Sequence, residues 1–497
     1  MTKPTAWKCE VCGYIHFGDA PPDQCPVCGV GPEMFSPFEA AAPSPPPALG
    51  ASWRCTVCGH VHVGELPPET CPVCGAARSM FESYQAAQAA TADAGIERIV
   101  VLGAGIAGVT AAEQARAVCP GVSIALVAGE AGLPYYRINL TRYLAYEVSE
   151  AALVLKPETW FAEQRIDLVH GEATVIDRER REVRLRDERS FKYDRLVIAT
   201  GSHAFVPAIP GAVQEGVFTL RKKDDVHTLW EKVKPGSRCV CVGGGLLGLE
   251  TAGALARRGI KVTVLEGFPW LLPRQLAEPA GRMLQAHVEA TGIEVRCGVK
   301  VEEILRDESG LQVRLASGES IAGQAVIVAA GVRPNSHLAR QARIETRGGI
   351  LVDDRMFTSD PAVLAAGDVA EHRGVVYGIW PASYAQGLVA GANAAGGNLE
   401  FPGLAPSTRL KVLNVDLYSI GQHQPTDGSY HVFERQEAGH YYRFVCRDGQ
   451  LVGANLYGDT GLAGLVKETI ERSTQIAESQ ELLARVPGLG DYCGRTH

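Results

Sequence analysis

The chain has 497 residues, which at roughly 150 residues per domain implies three or four folded units. Apolar residues make up 46% and charged residues 21%, a balance that excludes a globally disordered chain. A formal charge of −8 gives no electrostatic footing for a nucleic-acid partner, and no apolar run reaches the roughly 18–20 residues that cross a bilayer, so no membrane span is expected.

Glycine is abundant, 55 residues of 497 against an average of about 7%, which points to tight turns or close approach of backbone to ligand. The opening MTKPTAWKCE lacks the apolar stretch of a secretion signal, and a cytoplasmic location is expected.

In chain order the first elements are a tandem repeat. Eight of the 14 cysteines form four CxxC pairs, and Cys9, Cys12, Cys25 and Cys28 recur 46 residues later as Cys55, Cys58, Cys71 and Cys74. Trp7, His16, the Pro21-Pro22 pair, Met34 and Phe35 recur at the same offset. A module of about thirty residues cannot bury enough apolar surface to fold alone, so each copy (5–38 and 52–84) is expected to form around a metal. A CxxC turn points two thiolates at one ion, and two such turns make a tetrahedral four-sulfur site that suits iron or zinc. The Pro-rich stretch 39–51 reads as a semi-extended linker, and 85–95 as a helical or flexible tether.

The two copies, CEVCGYIHFGDAPPDQCPVCG and CTVCGHVHVGELPPETCPVCG, resemble the short rubredoxin fused to rubrerythrins. The resemblance covers 7–36 and 53–82. It implies one iron per copy, shuttling one electron, with structural zinc as the alternative.

Next, ERIVVLGAGIAG (97–108) runs a buried-type strand into Gly103, Gly105 and Gly108, with Ile106 and Ala107 opening a helix. Such glycines let the backbone approach a pyrophosphate seated at the helix N-terminus. The following strand ends at Glu130, placed to accept from ribose hydroxyls. The segment 133–147, LPYYRINLTRYLAYE, contains no cysteine. A further strand ends in Ala199-Thr200-Gly201. The glycine arrangement then recurs with Gly243, Gly245 and Gly248, Leu246 and Leu247 lying between the last two, and the strand after it ends at Glu266. A carboxylate there binds a 2′-hydroxyl and repels a 2′-phosphate, favouring NADH over NADPH; Arg257 and Arg258, close in sequence, would blunt that preference. Gly331 opens the run GVRPN, and Gly367-Asp368 follows a short apolar strand.

In this order the segments resemble the two-dinucleotide-fold flavoprotein family that includes the pyridine nucleotide–disulfide reductases, over about 97–400. The resemblance implies an α/β fold with Rossmann-like FAD (96–205 and 326–400) and NAD (206–325) domains, followed by a C-terminal α+β domain (401–497). It implies FAD as cofactor, with Ala199, Thr200 and Gly201 lining its pyrophosphate and Asp368 on its ribityl chain. Without a cysteine in 133–147, thiol relay chemistry is disfavoured.

The run PYYRINLTRYL resembles the matching motif of NADH:rubredoxin reductases and of the flavin portion of assimilatory nitrite reductases. By that match Arg137 contacts the cofactor, Arg142 stands near flavin N5 in place of the usual lysine, and Glu250 pairs with Arg142 beside the nicotinamide. In the tail, 440–458 alternates about Asp448-Gly449 and reads as a hairpin, and 462–473 reads as a helix.

The expectation is an NADH-dependent FAD oxidoreductase that passes electrons to two irons in the fused modules and on to an unnamed acceptor. The competing reading is a reductase of a separate acceptor, whose front modules are zinc ribbons that dock it to a partner.

Overall fold

The computed structural model describes residues 95–308, 310–405, 407–409, 413, 415–437 and 439–489, and from the N-terminal part 6–9, 15–17, 21, 32, 35–38, 52–55, 61–71, 78 and 81–84. The sequence repeat recurs as repeated sheets. Ala6–Cys9 is flanked by Ile15–Phe17 and Phe35–Phe38; at the 46-residue offset, Ser52–Cys55 is flanked by Val61–Val63 and Phe81–Tyr84 in the same order. In the first copy Trp7 stands opposite His16 on one side and Pro37 on the other.

A second duplication forms the body. One five-stranded sheet has the order Val363–Ala365, Arg195–Ile198, Arg98–Leu102, Ser123–Ala128, Ile166–His170. The other has the order Val217–Phe218, Ala325–Val328, Arg238–Val242, Lys261–Glu266, Glu294–Cys297. Every pairing in both is parallel. Parallel strands are covered on both faces and so read as unbroken apolar runs. RIVVL (98–102) and RCVCV (238–242) do this, each with one exposed residue followed by four buried ones. Cys239 and Cys241 are therefore core residues, as their alternation in an apolar strand predicts.

Ala325–Val328 sits inside the second sheet, between Val217–Phe218 and Arg238–Val242. The boundary expected at 326 moves accordingly, to the antiparallel ribbon of Ser202–Ala204 with Val332–Pro334 that joins the halves. An all-apolar strand carries no mark of which of two like sheets it will enter; only its pairing decides.

In the first half, the helix Trp380–Ala394 lies against Ile106–Val118. A Cβ on Gly387 would lie 2.4 Å from the Ala107 carbonyl oxygen, and one on Gly391 2.1 Å from that of Ala111, so the two helices meet backbone to backbone. The C-terminal sheet is antiparallel, in the order Ser407–Arg409, Leu417–Gly421, Gln450–Tyr457, His440–Arg447, Tyr430–Glu437. Its expected hairpin turns on Asp448 (φ 50°) and Gly449 (φ 74°), both positive as a tight two-residue turn demands. The expected helix spans Ala463–Glu471. The sheet is fastened to the second half: Ala277 N–H donates to Asn455 Oδ1 at 2.9 Å, and Tyr457 O–H to the Met283 carbonyl at 3.3 Å. No described helix is long and apolar enough to cross a membrane.

Candidate functional site

Each half ends its first strand in a glycine cradle. Gly103 has φ +106°, and a Cβ there would stand 2.2 Å from the Ala199 carbonyl oxygen; one on Gly108 would stand 1.8 Å from the Gly103 carbonyl oxygen. A Cβ on Gly243 (φ +118°) would stand 2.5 Å from the Ala329 carbonyl oxygen, and one on Gly248 2.0 Å from that of Gly243. Side chains are excluded at these four places, so backbone lines both turns. Gly105 and Gly245 are the N-caps of Ile106–Val118 and Leu246–Arg257, and neither helix has an acidic first turn or a capping side chain. Those uncapped N–H groups, with the positive end of the helix dipole, suit the pyrophosphate of a dinucleotide. Ile106, Ala107, Leu246 and Leu247 open the helices, and Ala107, Leu246 and Leu247 pack toward the core.

Ala199-Thr200-Gly201 has a counterpart in Ala329-Ala330-Gly331, since Ala199 and Ala329 close the two cradles alike. Gly201 (φ +66°) and Gly331 (φ +108°) both look into open space. Asn335, at the end of the GVRPN run, ties the returning chain to the point where it left the first half. Its amide donates to the Thr200 carbonyl at 2.8 Å, and Thr200 O–H donates to its carbonyl at 3.0 Å.

The first cradle opens on a chain of charged groups. The Glu130 carboxylate accepts from Tyr135 O–H at 2.6 Å and from Arg137 at 2.6 Å. Burial pushes the Glu130 carboxyl up, but the Arg137 charge and the two hydrogen bonds outweigh it and hold the group below the usual carboxylate range. Arg137 also donates to the Arg221 carbonyl at 2.6 Å. The Arg221 guanidinium in turn donates to Asp368 Oδ2 at 2.8 Å and to the Ser202 hydroxyl. Ser202 and Ser383 donate to Asp368 at 2.9 and 3.3 Å, beside Gly367 (φ +82°). Two cations thus stand between two carboxylates. Together with the cradle, this donor set fits a flavin dinucleotide.

In the second half both oxygens of buried Glu266 accept backbone N–H groups, from Gly244 at 2.8 Å and Phe268 at 2.9 Å. The carboxylate is pinned at the edge of the glycine turn. Arg257 and Arg258 do not reach it. They end a 12-residue helix, about 18 Å from its glycine end at 1.5 Å per residue. Arg257 pairs with Glu147 at 2.8 Å, and Arg258 covers the Tyr146 ring.

Residues 97–387 match the pyridine nucleotide-disulphide oxidoreductase family. The chain belongs to this family. Flanking that match, 7–36 and 53–82 match the rubrerythrin, rubredoxin-like domain, and 406–474 the rubredoxin NAD+ reductase C-terminal domain. A nitrite reductase (NAD(P)H) of Bacillus subtilis (strain 168) is 34% identical over 78% of this chain and 49% of its own length. The NADH-rubredoxin oxidoreductase of Clostridium acetobutylicum is 31% identical over 76% of this chain and 95% of its own. The crystal structure of NADH:rubredoxin oxidoreductase from Clostridium acetobutylicum superposes with a TM-score of 0.67 at 29% identity, covering 79% of this chain and all of that one. The chain spans about half the length, or less, of the first curated relatives it matches.

Within this family fold, the expected pair of Arg142 with Glu250 is not formed. Glu250, buried on Leu246–Arg257, accepts from Thr141 O–H at 3.1 Å, while Arg142 pairs with Glu147 at 3.3 Å. Successive residues of the helix Leu140–Leu144 point about 100° apart, so when Thr141 faces Glu250 its neighbour turns to the rim.

Of the metal-ligand candidates, Cys55 and Cys71 are buried in one apolar cluster. Soft sulfur donors of this kind fit iron or zinc. Cys12, Cys25, Cys28, Cys58 and Cys74, and the side chain of Cys9, lie outside the described residues. Cys119 and Cys297 are free and half-buried; burial pushes the Cys297 thiol up to about 11. Cys446 is disulfide-bonded.

Sequence reading missed Tyr135, Thr141, Ser202, Arg221 and Ser383. Arg221 sits in a run of charges, RKKDD, that reads as a solvated helix start, and Asp368 is 147 positions away. Only Tyr135 and Thr141 were within reach, as neighbours of Arg137 and Arg142.

Proposed function

We propose that the chain holds FAD at the first glycine cradle, accepts a hydride from NADH held at the second, and passes electrons singly to iron in the two cysteine modules and on to a redox-protein acceptor. The observation that carries this reading is the pair of equivalent side-chain-free cradles in one body, joined to tandem modules of four cysteines each. Bound FAD supplies the change from paired to single electrons, and thiolate-bound iron supplies a one-electron acceptor.

The chain's own residues have these parts. The N–H groups above Gly103, Gly105, Ile106, Ala107 and Gly108, with Arg137 and Arg221, bind the FAD pyrophosphate. Glu130 orients Arg137 and Tyr135 and accepts from the adenosine ribose. Ala199, Thr200, Gly201 and Gly367 leave room for the cofactor, and Asp368, held by Ser202, Arg221 and Ser383, accepts from its ribityl hydroxyls. Gly243, Gly245, Leu246, Leu247, Gly248 and Gly331 shape the NADH site, and Glu266 takes the 2′-hydroxyl and repels a 2′-phosphate. Glu250, fixed by Thr141, faces the nicotinamide. Arg142 acts at the rim near N5 as a positioning residue tied to Glu147. Cys9, Cys12, Cys25 and Cys28 hold one iron; Cys55, Cys58, Cys71 and Cys74 hold the other. Tethering keeps the acceptors at an effective concentration of about millimolar without a tight interface.

The test is metal analysis with visible spectra before and after anaerobic NADH. Iron–thiolate absorption that bleaches along with the flavin supports the reading. Stoichiometric zinc, or bleaching of the flavin alone, overturns it in favour of zinc ribbons that dock a partner.

A further inference from the structure

Residues 136–138 face two ways. Arg137 reaches into the charged cleft, to Glu130 and to the Arg221 carbonyl. Its neighbours Tyr136 and Ile138 pack, with Trp380, against an apolar cluster that contains Cys55 and Cys71 together with Tyr418, Phe444 and Leu456 of the C-terminal sheet. Phe81, on the last strand of the second cysteine module, packs against the same cluster.

The Tyr136 and Trp380 rings lie 5.6 Å apart with their planes at 31°. Trp380 begins the helix Trp380–Ala394, one turn ahead of Ser383, which donates to Asp368. Positions three apart share a helix face. The ring pair therefore lies between the Asp368 end of the cleft and the cluster that buries two thiols of the second module.

We propose that Tyr136 and Trp380 form the contact through which single electrons leave the flavin cleft for the iron of Cys55, Cys58, Cys71 and Cys74, so that the second module is the first acceptor. The proposal rests on the function proposed above. In one turnover NADH gives up a hydride and becomes NAD+. Its two electrons leave the cleft in two steps, each reducing one ferric ion to ferrous, and the proton passes to solvent. The rings form no bond and are not themselves oxidised. They replace water with packed polarizable atoms between cleft and module, and they hold the Phe81 edge in place.

The experiment uses the iron-loaded full chain with FAD. Anaerobic stopped-flow follows flavin reduction by NADH and iron–thiolate bleaching as separate signals in Tyr136→Ala, Trp380→Ala and Trp380→Phe, and hydrogen exchange is read over Phe81–Tyr84. In the alanine variants the fast phase of iron bleaching is lost relative to flavin reduction, and exchange over Phe81–Tyr84 accelerates; Trp380→Phe retains the fast phase and the protection. Iron bleaching that keeps pace with flavin reduction in both alanine variants, or exchange unchanged in them, overturns the proposal. Iron that fails to bleach in the unsubstituted protein overturns the underlying function instead, so the two failures are distinct.

Discussion

The Thr141 hydroxyl donates to the buried Glu250 carboxylate at 3.1 Å, fastening the flavin-side segment 136–147 to the second glycine-turn helix. That bond and the Arg257–Glu147 ion pair, not a pairing of Arg142 with Glu250, join the two halves at this edge. Thr141→Val removes the donor and leaves the acceptor buried, a loss of about 1–3 kcal/mol in denaturant titrations. Glu250→Gln slows flavin reduction by NADH more than Arg142→Ala does. Stopped-flow kinetics check the order, and the reverse order would return the central part to Arg142.

Glu266 is pinned by two backbone N–H groups, so in the NADH site proposed above its charge would not swing away from a 2′-phosphate. The ratio of kcat/KM for NADH over NADPH is above one, and in Glu266→Ala it falls by about tenfold or more, the scale of one like-charge contact removed. Because Arg257 and Arg258 sit at the far end of the helix, Arg257→Ala leaves the ratio where it was. Steady-state kinetics with both nucleotides decide.

The glycine cradles separate the two nucleotide sites experimentally. In Gly108→Ala the new methyl meets the Gly103 carbonyl, and in Gly248→Ala that of Gly243, each an overpacking of about 1–3 kcal/mol. Gly108→Ala loses FAD on gel filtration. Gly248→Ala keeps FAD and raises KM for NADH.

Acid acts on FAD retention through Glu130. Its folded carboxyl lies below its ordinary value of 4.5, so the stabilisation is fully present above pH 4.5 and is lost as pH falls through the folded value. Flavin fluorescence released on acid titration rises in that window. Glu130→Gln binds FAD more weakly near neutral pH and flattens the acid step.

The front modules, both glycine turns, the absence of cysteine from 133–147 and the Asp448-Gly449 hairpin were legible because each is a local rule. A CxxC turn, a glycine at positive φ and a run of apolar residues owe their form to neighbours a few positions away. The two sheets came out as their apolar runs implied, and Gly103, Gly108, Gly243 and Gly248 stand where backbone leaves no room for a side chain.

Sequence alone therefore determined the architecture: two nucleotide cradles behind a duplicated thiolate module. Tertiary structure alone decided which charges meet. Arg221 finds Asp368 across 147 positions, Glu250 takes Thr141 in place of Arg142, and Ala325–Val328 enters the second sheet. Hydrophobic and turn patterns are set by spacing along the chain. The choice of an ionic partner depends on which side of a helix faces the cleft, and that is fixed only when the helix packs.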